Sequence, residues 1–524
     1  MDHTSTNSMS RRAFLAGTAA VAAGFGLTLY GCGGGGGNSG GGTASNTLTG
    51  AVAYQNTDFT PVGASSALVL GANWHVLEAL YDMNMATYET YNALAADEPV
   101  AVSDTEYEIA LREGAMFSDG NPVTAADVAN AVNLNVANSL YVDMLGFINT
   151  AEAKDDTTVV LKLNYPFATL LKERLSIIKV FPASQDADSL KTGPIGSGPW
   201  MYQSVNGEDG GAIDFVPNPN YNGPYPAPCE SMHWDVLLDG TARTTALSEA
   251  TALIMESVPD ANVEQLEGAG ATVEYVPGFT LPFLMFNTKK APFDDYRVRQ
   301  AFFYAINTEK LISNQMAGHG AAATCLLPSY FPNYHEASTV YTYDPEKAKE
   351  LLSEAGAEGL SFTLKVNNNW VQDLSAQIQQ DLNDVGMTCE LQVEAIQWNE
   401  LAESDSELPY DVMLTPGDPT CFGNDPDLIM SWWYGDNIWT QGRSCWKSSD
   451  EWEELQDLMQ QAREAEGSEQ QELWNQCFDL LAEQVPLYPL FHREIATGYW
   501  ADRISGFEPI GTTGINVIGA ELNV

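Results

Sequence analysis

Basic side chains are scarce in this chain. It holds 23 lysine and arginine residues against 70 aspartate and glutamate residues, a formal net charge of −47 at pH 7. A surface of that charge repels nucleic acid and anionic lipid headgroups, so we expect no nucleic-acid partner. Charge spread over a whole chain serves solvation and does not indicate a substrate. The 524 residues are 44% hydrophobic, enough to bury cores, and their number predicts more than one domain.

Recognisable catalytic patterns are also absent. The sequence has neither the Gly-x-Ser-x-Gly turn of serine hydrolases nor the His-Glu-x-x-His pair of zinc proteases. Its six histidines are scattered, and no pair of them has metal-ligand spacing. We therefore expect no enzyme activity, no cofactor and no metal site. Chance pairs of histidine and carboxylate are expected in so acidic a chain, so a secreted hydrolase stays as the alternative from another class.

Cysteines are few, and no Cys-x-x-Cys is present, so a zinc or thioredoxin-like site lacks support. One of the seven, Cys32, belongs to the N-terminal segment described next. The rest form an even set, which an exported protein can oxidise to disulfides of undetermined connectivity. We favour a bond between Cys421 and Cys445, because both flank the same tryptophan-rich segment. The remaining members of the set are Cys229, Cys325, Cys389 and Cys477.

The first residues have the pattern of an export signal. An arginine pair at 11–12 precedes an apolar run over 13–30, and Leu-Tyr-Gly-Cys ends at Cys32. Residues 1–32 therefore resemble a twin-arginine lipoprotein signal, with Cys32 as the lipid-modified first mature residue; an uncleaved membrane anchor is the alternative. Residues 33–47 are nearly all small and polar, which predicts a flexible tether. We expect a lipid-anchored protein at the outer face of the cytoplasmic membrane, or in the periplasm.

Residues 111–128 carry the densest structural signals in the chain. The alternation of apolar and polar residues over 107–111 predicts a half-buried strand. Ser-Asp-Gly-Asn-Pro at 118–122 is turn chemistry, since aspartate and asparagine bond to the backbone, glycine allows positive φ and proline fixes φ. Thr124 followed by Asp127 predicts a capping box. The helix that follows would face the core with Val128, Val132 and Val136.

This run closely resembles a signature of extracytoplasmic solute-binding protein family 5, the dipeptide, oligopeptide and nickel-binding proteins of ABC transporters. The resemblance extends over residues 48–524, but the chain departs from the family pattern at Ser257-Val258-Pro259. Further matching segments follow in the family's order. They are Gly-Pro-Ile-Gly-Ser-Gly-Pro-Trp at 193–200, Pro-Phe-Asp-Asp-Tyr-Arg-Val-Arg-Gln-Ala at 292–301, Tyr-Asp-Pro-Glu-Lys-Ala-Lys at 343–349 and Val-Pro-Leu-Tyr-Pro-Leu at 485–490.

The resemblance implies an α/β fold of two lobes, the type II periplasmic-binding-protein architecture, with an extra domain in the N-terminal half. The chain would cross between the lobes near 275–283 and 484–486, and these crossings would form a hinge. The implied boundaries are 48–75, 193–280 and 486–524 for lobe I, 76–192 for the extra domain and 281–485 for lobe II.

The resemblance also implies an acidic ligand-binding residue. In peptide-binding members, an aspartate on one loop pairs with the ammonium group of the ligand, and a desolvated ammonium needs such a counter-charge. We assign this role to Asp418, with Asp425 and Asp427 as competitors. Thr415 stands where the family has a pocket tryptophan. The arginine that some members use for the ligand carboxylate is not evident near Val412.

Aromatic residues supply the other candidates, because their large rigid faces suit the enclosure of a mid-sized ligand. Trp398 matches a pocket position of the family. Trp74 and His75 lie on a helix predicted over residues 73–81 and could line the cleft, with core packing as the alternative. Trp432 belongs to the tryptophan-rich segment late in the chain, for which core packing is again the alternative.

The resemblance implies a receptor that captures a small peptide or similar amine-bearing solute between its lobes and delivers it unchanged. Ligand binding would shift an equilibrium between open and closed forms, and the closed form would dock on a membrane permease of the ABC type. The membrane would be contacted through the lipid anchor. We expect a monomer, while a dimer is neither indicated nor excluded. A receptor for nickel chelates or haem is the alternative within the same family.

Overall fold

The computed structural model describes residues 46–367, 369–394, 396 and 408–523. The predicted lipidation site Cys32 and the predicted pocket residue Trp398 lie outside these ranges. Within them, no helix combines the length and the apolar character needed to cross a membrane.

Strands and helices alternate along much of the chain, as an α/β fold requires. The strands are β1 (Thr47–Val52), β2 (Tyr81–Met83), β3 (Thr90–Asn92), β4 (Val100–Ser103), β5 (Glu106–Ala110), β6 (Ile148–Ala153), β7 (Thr158–Leu163), β8 (Trp200–Val205), β9 (Ala212–Pro217), β10 (Ser231–Val236), β11 (Ile254–Met255), β12 (Thr272–Pro277), β13 (Leu281–Phe286), β14 (Gly320–Ala322), β15 (Ser361–Asn367), β16 (Thr388–Glu394), β17 (Val412–Gly417), β18 (Leu487–Pro489), β19 (Phe491–Tyr499), β20 (Ile504–Ser505) and β21 (Glu521–Leu522).

The α-helices are α1 (Ala67–Val76), α2 (Ala125–Val136), α3 (Leu171–Leu175), α4 (Ala187–Thr192), α5 (Gly240–Ser248), α6 (Val263–Ala269), α7 (Tyr296–Ala305), α8 (Thr308–Gln315), α9 (Pro345–Glu354), α10 (Gln372–Asp384), α11 (Pro426–Tyr434), α12 (Asp450–Glu464) and α13 (Gly467–Gln484). Short turns of 3-10 helix cover Asp260–Asn262, Pro419–Cys421 and Trp446–Ser448, and a π-helical turn covers Trp439–Arg443.

Two mixed sheets hold most of the described strands. An eight-stranded sheet has the order β12-β19-β11-β1-β10-β9-β8, with β14 also paired to β19. A five-stranded sheet has the order β16-β15-β17-β13-β18, in which β15 runs parallel to both of its neighbours. A separate four-stranded antiparallel sheet, β4-β5-β7-β6, packs against α2. Helices and sheets therefore occur in layers, as the predicted fold class requires.

The predicted strand, turn and capped helix are confirmed. β5 precedes the turn, and the Thr124 hydroxyl accepts a hydrogen bond from the Asp127 amide at 3.3 Å. The Asp127 carboxylate in turn accepts one from the Thr124 amide at 3.0 Å, which completes the capping box of α2. Val128 and Val132 are buried as the spacing predicts. The same local logic applies at α9, where Asp344 caps the helix.

The chain passes between the two large sheets at two points. The first passage is residues 278–280, between β12 and β13, and the second is Leu490, between β18 and β19. The second lies beyond the predicted 484–486, because β18 still pairs with β13. The two passages lie side by side, since the Arg493 amide donates a hydrogen bond to the Thr280 carbonyl at 3.0 Å.

The helix predicted over residues 73–81 needs correction, because α1 begins earlier and ends at Val76. The backbone beyond it has other partners. The Gly198 amide donates to the Val76 carbonyl at 2.9 Å, and the Leu94 amide donates to the Ala79 carbonyl at 3.0 Å. These contacts hold the following residues in extended conformation, and Tyr81 already belongs to β2.

Gly196 fits against the end of α1 without room for a side chain. A Cβ atom there would lie 1.9 Å from the Val76 carbonyl oxygen. We expect Gly196→Ala to lower the free energy of unfolding by about 2–3 kcal/mol, because rigid backbone must move. Gly268→Ala on α6 is the control, since a Cβ there meets nothing within 4 Å and alanine favours a helix by about 1 kcal/mol. Urea denaturation measures both, and equal stability of Gly196→Ala and the unsubstituted chain would contradict the expectation.

The six cysteines in the described residues are free thiols, so the predicted bond between Cys421 and Cys445 is wrong. The Cys421 thiol instead donates to the Asp418 carbonyl at 3.5 Å. Cys421 is buried in the 3-10 turn before α11, and Cys445 lies beyond the π-helical turn that follows α11.

Candidate functional site

Asp418 lies directly after β17, where three segments of the chain meet. Its Oδ1 atom accepts hydrogen bonds from the Thr420 amide at 2.9 Å and the Thr420 hydroxyl at 2.6 Å. Its Oδ2 atom accepts from the Thr280 hydroxyl at 3.2 Å and the Thr512 hydroxyl at 2.8 Å. Thr280 belongs to the first passage between the sheets, and Thr512 to the segment between β20 and β21. The carboxylate is therefore held where both sheets and the C-terminal segment converge.

Local sequence explains this position. β17 pairs with β13 in antiparallel register, with Gly417 opposite Leu281. Asp418, which follows β17, therefore lies beside Thr280, which precedes β13. Pro419 then starts a 3-10 turn that Asp418 caps with its side chain. The strand register and the cap together fix the direction of the carboxylate.

Asp418 has no cationic partner in the part of the chain that the structure describes. Burial raises the pKa of its carboxyl above the usual range, although the hydroxyl groups of Thr420 and Thr512 oppose this. Three phenol rings lie within its electrostatic reach. Burial is the main cause of the raised pKa values of Tyr54, Tyr88 and Tyr330, and the Asp418 carboxylate raises all three further.

The competing carboxylates are already paired with arginine. Arg174, whose side chain is fully buried, donates to Asp425 at 2.8 Å and to Asp427 at 2.8 Å. Arg463 donates from Nε to Asp427 at 2.6 Å. Burial would raise the pKa of Asp427, but Arg463 and Arg174 outweigh it and hold that pKa below the usual range. These four residues form an internal ion cluster, which leaves Asp418 as the candidate without a counter-ion.

Open space adjoins the Asp418 loop through two cavities. One has about 490 Å³ of empty volume, part of it open to solvent, and is lined by Cys421 and by Trp74 of α1. The other has about 650 Å³ measured in the same way and is lined by Ile510 of the C-terminal segment. The first cavity borders the Asp418 loop at Cys421, and the second borders the C-terminal segment that carries Thr512; Asp418 itself lines neither of them.

Trp74 and His75 of α1, both predicted as candidates to line the cleft, have different surroundings in the structure. Trp74 is half-buried and lines the first cavity. His75 is fully buried, and both ring nitrogens have partners: Nδ1 donates to the Gly71 carbonyl at 2.7 Å, and Nε2 accepts from the Val517 amide at 3.0 Å. Burial lowers its pKa to about 4, so the ring is neutral at pH 7. His75 is thus a satisfied core residue, the alternative that the sequence left open.

Two further predicted residues are buried in packed elements. Thr415 lies within β17, and its hydroxyl accepts a hydrogen bond from the Asn367 amide group at 3.3 Å. Trp432 lies on α11, with its ring centre 5.3 Å from that of Phe422 and 6.2 Å from that of Trp439. Trp398 lies outside the described residues.

Several residues at the junction carry no signal that sequence reasoning could use. Thr280, Thr512 and Tyr88 are single residues in loops, and only the fold brings them to Asp418.

The chemistry of this junction suits ionic recognition. A carboxylate that is fixed by hydroxyl groups can neutralise and orient a cationic group. Within the described residues, no group of three or more histidine, cysteine, aspartate or glutamate side chains is arranged to hold a metal ion.

Comparison with known proteins gives consistent matches. A family model described as bacterial extracellular solute-binding proteins, family 5 Middle, matches residues 89–451. The dipeptide-binding protein of Escherichia coli (strain K12) is 26% identical over 460 residues, which cover 79% of this chain and 83% of that protein.

Solved structures match over almost the whole chain. The dipeptide binding protein from Pseudoalteromonas sp. SM9913, in complex with Met-Leu, has a TM-score of 0.80 at 20% identity and covers 91% of this chain and 100% of its own. NikA from Staphylococcus aureus, in complex with Ni(L-His)2, has a TM-score of 0.77 at 16% identity with the same coverage. The predicted two-lobed α/β architecture of type II is thereby confirmed.

Proposed function

Because the chain belongs to the family of bacterial extracellular solute-binding proteins, family 5, we propose that it captures peptides or similar amine-bearing solutes for an ABC importer. Proteins of this family bind solutes for transport and are not enzymes, so the hydrolase alternative is set aside. The relatives named above bind a dipeptide in one case and a nickel–histidine complex in another. The choice between a peptide and a metal complex as the ligand rests on the site of this chain.

The observation that carries the proposal is the unpaired carboxylate of Asp418. A buried carboxylate without a counter-ion costs free energy, and an ammonium group that enters the site removes much of that cost. The hydroxyl groups of Thr280 and Thr512 can rotate to accept hydrogen bonds, so an ammonium can replace one of them as donor to Asp418.

We also propose the division into lobes and the mode of delivery. Lobe I would comprise 48–75, 193–280 and 490–524, and the extra domain 76–192. Lobe II would comprise 281–489, so its end moves from the predicted 485 to 489, because β18 pairs with β13. The lobes would close on the solute about the two passages between the sheets, and the closed form would dock on a permease. A twin-arginine signal and a lipid on Cys32 would hold the monomeric protein at the membrane surface.

A mixed peptide library tests the proposal. The purified chain is incubated with the library and washed, and the molecules that stay bound are released and weighed by mass spectrometry. We expect unblocked peptides to be retained and N-acetylated peptides to be lost. A coloured, metal-bearing preparation would support the nickel-chelate or haem alternative instead. Retention of acetylated and free peptides alike would contradict the role of Asp418.

The affinity for an amine-bearing peptide should depend on pH through Asp418. A proton and the ligand ammonium compete for the same carboxylate, so the affinity should fall as the pH falls through the raised pKa of Asp418. An ordinary aspartate has a pKa of about 3.9. Because the pKa of Asp418 is raised, the affinity should begin to fall at a higher pH than it would with such an aspartate. Calorimetric titrations between pH 4 and pH 8 measure this, and Asp418→Asn should lose the dependence. An affinity that stays constant down to the ordinary aspartate range would contradict it.

A further inference from the structure

Glu256 is a buried carboxylate that the site described above does not include. It directly follows β11, and Ala53 directly follows β1; because the two strands pair in parallel, these residues lie side by side. The Oε2 atom of Glu256 accepts a hydrogen bond from the Ala53 amide at 2.8 Å. Burial raises the pKa of this carboxyl, although the amides of Ala53 and Gly514 and the charge of Arg243 oppose this. Arg243 itself donates to backbone carbonyls, among them that of Glu256 at 3.2 Å.

The second hydrogen bond of this carboxylate reaches the C-terminal segment, residues 506–520 between β20 and β21. The Oε1 atom of Glu256 accepts from the Gly514 amide at 2.6 Å. Gly514 has a φ of +110°, a conformation that favours glycine, and a Cβ atom there would lie 3.2 Å from the Trp74 ring. Because residues 506–520 contain no helix or strand, the place of this segment depends on single contacts such as these.

Thr512 lies between two fixed points of the C-terminal segment. On one side, the Gly511 carbonyl accepts a hydrogen bond from the Phe279 amide at 3.2 Å, and on the other, Gly514 is held by the buried carboxylate. The Thr512 side chain is buried, and its hydroxyl donates to Asp418 at 2.8 Å. Thr512 and Gly514 are two residues apart, a separation of at most about 7 Å. The position of the Gly514 amide therefore restricts that of the Thr512 hydroxyl.

We propose that Glu256 is a positioning residue for solute binding: it anchors the C-terminal segment so that the Thr512 hydroxyl stays on the Asp418 carboxylate. The inference rests on the proposed function and adds to it a residue that need not touch the solute. The two oxygens of a carboxylate accept from two amides at once, which glutamine cannot do, since its NH2 group is a donor. Because the partners of Asp418 are then already in place, its carboxylate loses less freedom when the ammonium group of the solute binds.

The test is a double-mutant cycle, measured by titration calorimetry with the unblocked peptide that the library experiment recovers. Glu256→Gln should lower the affinity by about 10-fold, because one amide of the anchor loses its acceptor and the segment shifts. Thr512→Val removes the hydroxyl itself and should also lower the affinity by about 10-fold. The double variant should again lose only about 10-fold, because Glu256 acts through a hydroxyl that is no longer present. A combined loss of about 100-fold would show two independent effects and would overturn the inference.

The matched control is Asp381→Asn on α10, because Asp381 is also a buried carboxylate that accepts from a backbone amide, that of Asn307 at 3.0 Å. It should lower the stability in urea but leave the affinity unchanged. Gly514→Ala displaces the anchored amide from its other side and should reproduce the 10-fold loss, even where Glu256→Gln does not fold. Unchanged affinity in Gly514→Ala, or in folded Glu256→Gln, would overturn the inference while leaving the proposed function intact. Failure of the unsubstituted chain to retain any unblocked peptide would instead refute the proposed function, and the inference with it.

Discussion

Asp418→Asn should lower the affinity for an unblocked peptide by about 100-fold or more. Removing one member of a buried, hydrogen-bonded charge pair costs about 2–5 kcal/mol, because the other charge stays buried without a partner. Asparagine has nearly the same shape as aspartate and can still accept a hydrogen bond from the Thr420 amide. Titration calorimetry with the recovered peptide gives the affinity directly.

The ligand-free variant should fold at least as well as the unsubstituted chain. Burial raises the pKa of Asp418, so the folded state holds the proton more tightly than the unfolded state does. Ionisation of Asp418 therefore lowers stability as the pH rises through that pKa, and asparagine avoids this loss. Asp344→Asn is the matched control: it removes one charge at a helix cap outside the site, where asparagine also caps well. A similar loss of affinity in both variants would contradict a specific role of Asp418.

The second large effect is expected at the internal ion cluster. Arg174→Met should lower the free energy of unfolding by about 3–5 kcal/mol, because it leaves the partly buried Asp425 without its arginine and takes one of two arginines from the buried Asp427. Urea denaturation at pH 7 measures the loss. Lys172→Met on the same helix is the control, since Lys172 pairs with Glu98 in a largely exposed salt bridge worth about 0–1 kcal/mol. Equal losses in the two variants would show that the cluster contributes no more than a surface pair.

Acid should have a related effect on the same cluster. The arginines hold the pKa of Asp427 below its usual range. The stability that this pairing supplies is present above the unfolded-state pKa of about 3.9 and is lost as the pH falls through the folded-state pKa. Because Arg174 is one of the two arginines responsible, Arg174→Met should show a shallower loss of stability on acidification than the unsubstituted chain.

Local structure could be predicted from the sequence because its causes are local. The capping box of Thr124 and Asp127 and the cap of Asp344 depend on neighbouring residues, and both form as predicted. The prediction of a helix over 73–81 was wrong, because the end of α1 depends on a contact with Gly198, which is distant in sequence. The predicted disulfide between Cys421 and Cys445 was wrong for a similar reason, since proximity to the same tryptophans in sequence does not determine where the fold places each thiol.

The residues of the candidate site were also predictable only in part from the sequence. Asp418 could be proposed from the resemblance of its loop, but sequence alone could not separate it from Asp425. The distinction comes from Arg174, a residue far away in the chain that only the fold brings to Asp425.

The most direct test of the central claim is a crystal structure of the chain with the peptide that the library experiment recovers. The account predicts the peptide between the two lobes, with its ammonium nitrogen about 3 Å from the carboxylate of Asp418, an ordinary hydrogen-bond distance. A peptide bound elsewhere, or one whose ammonium faces solvent while Asp418 keeps only its threonine partners, would contradict the account.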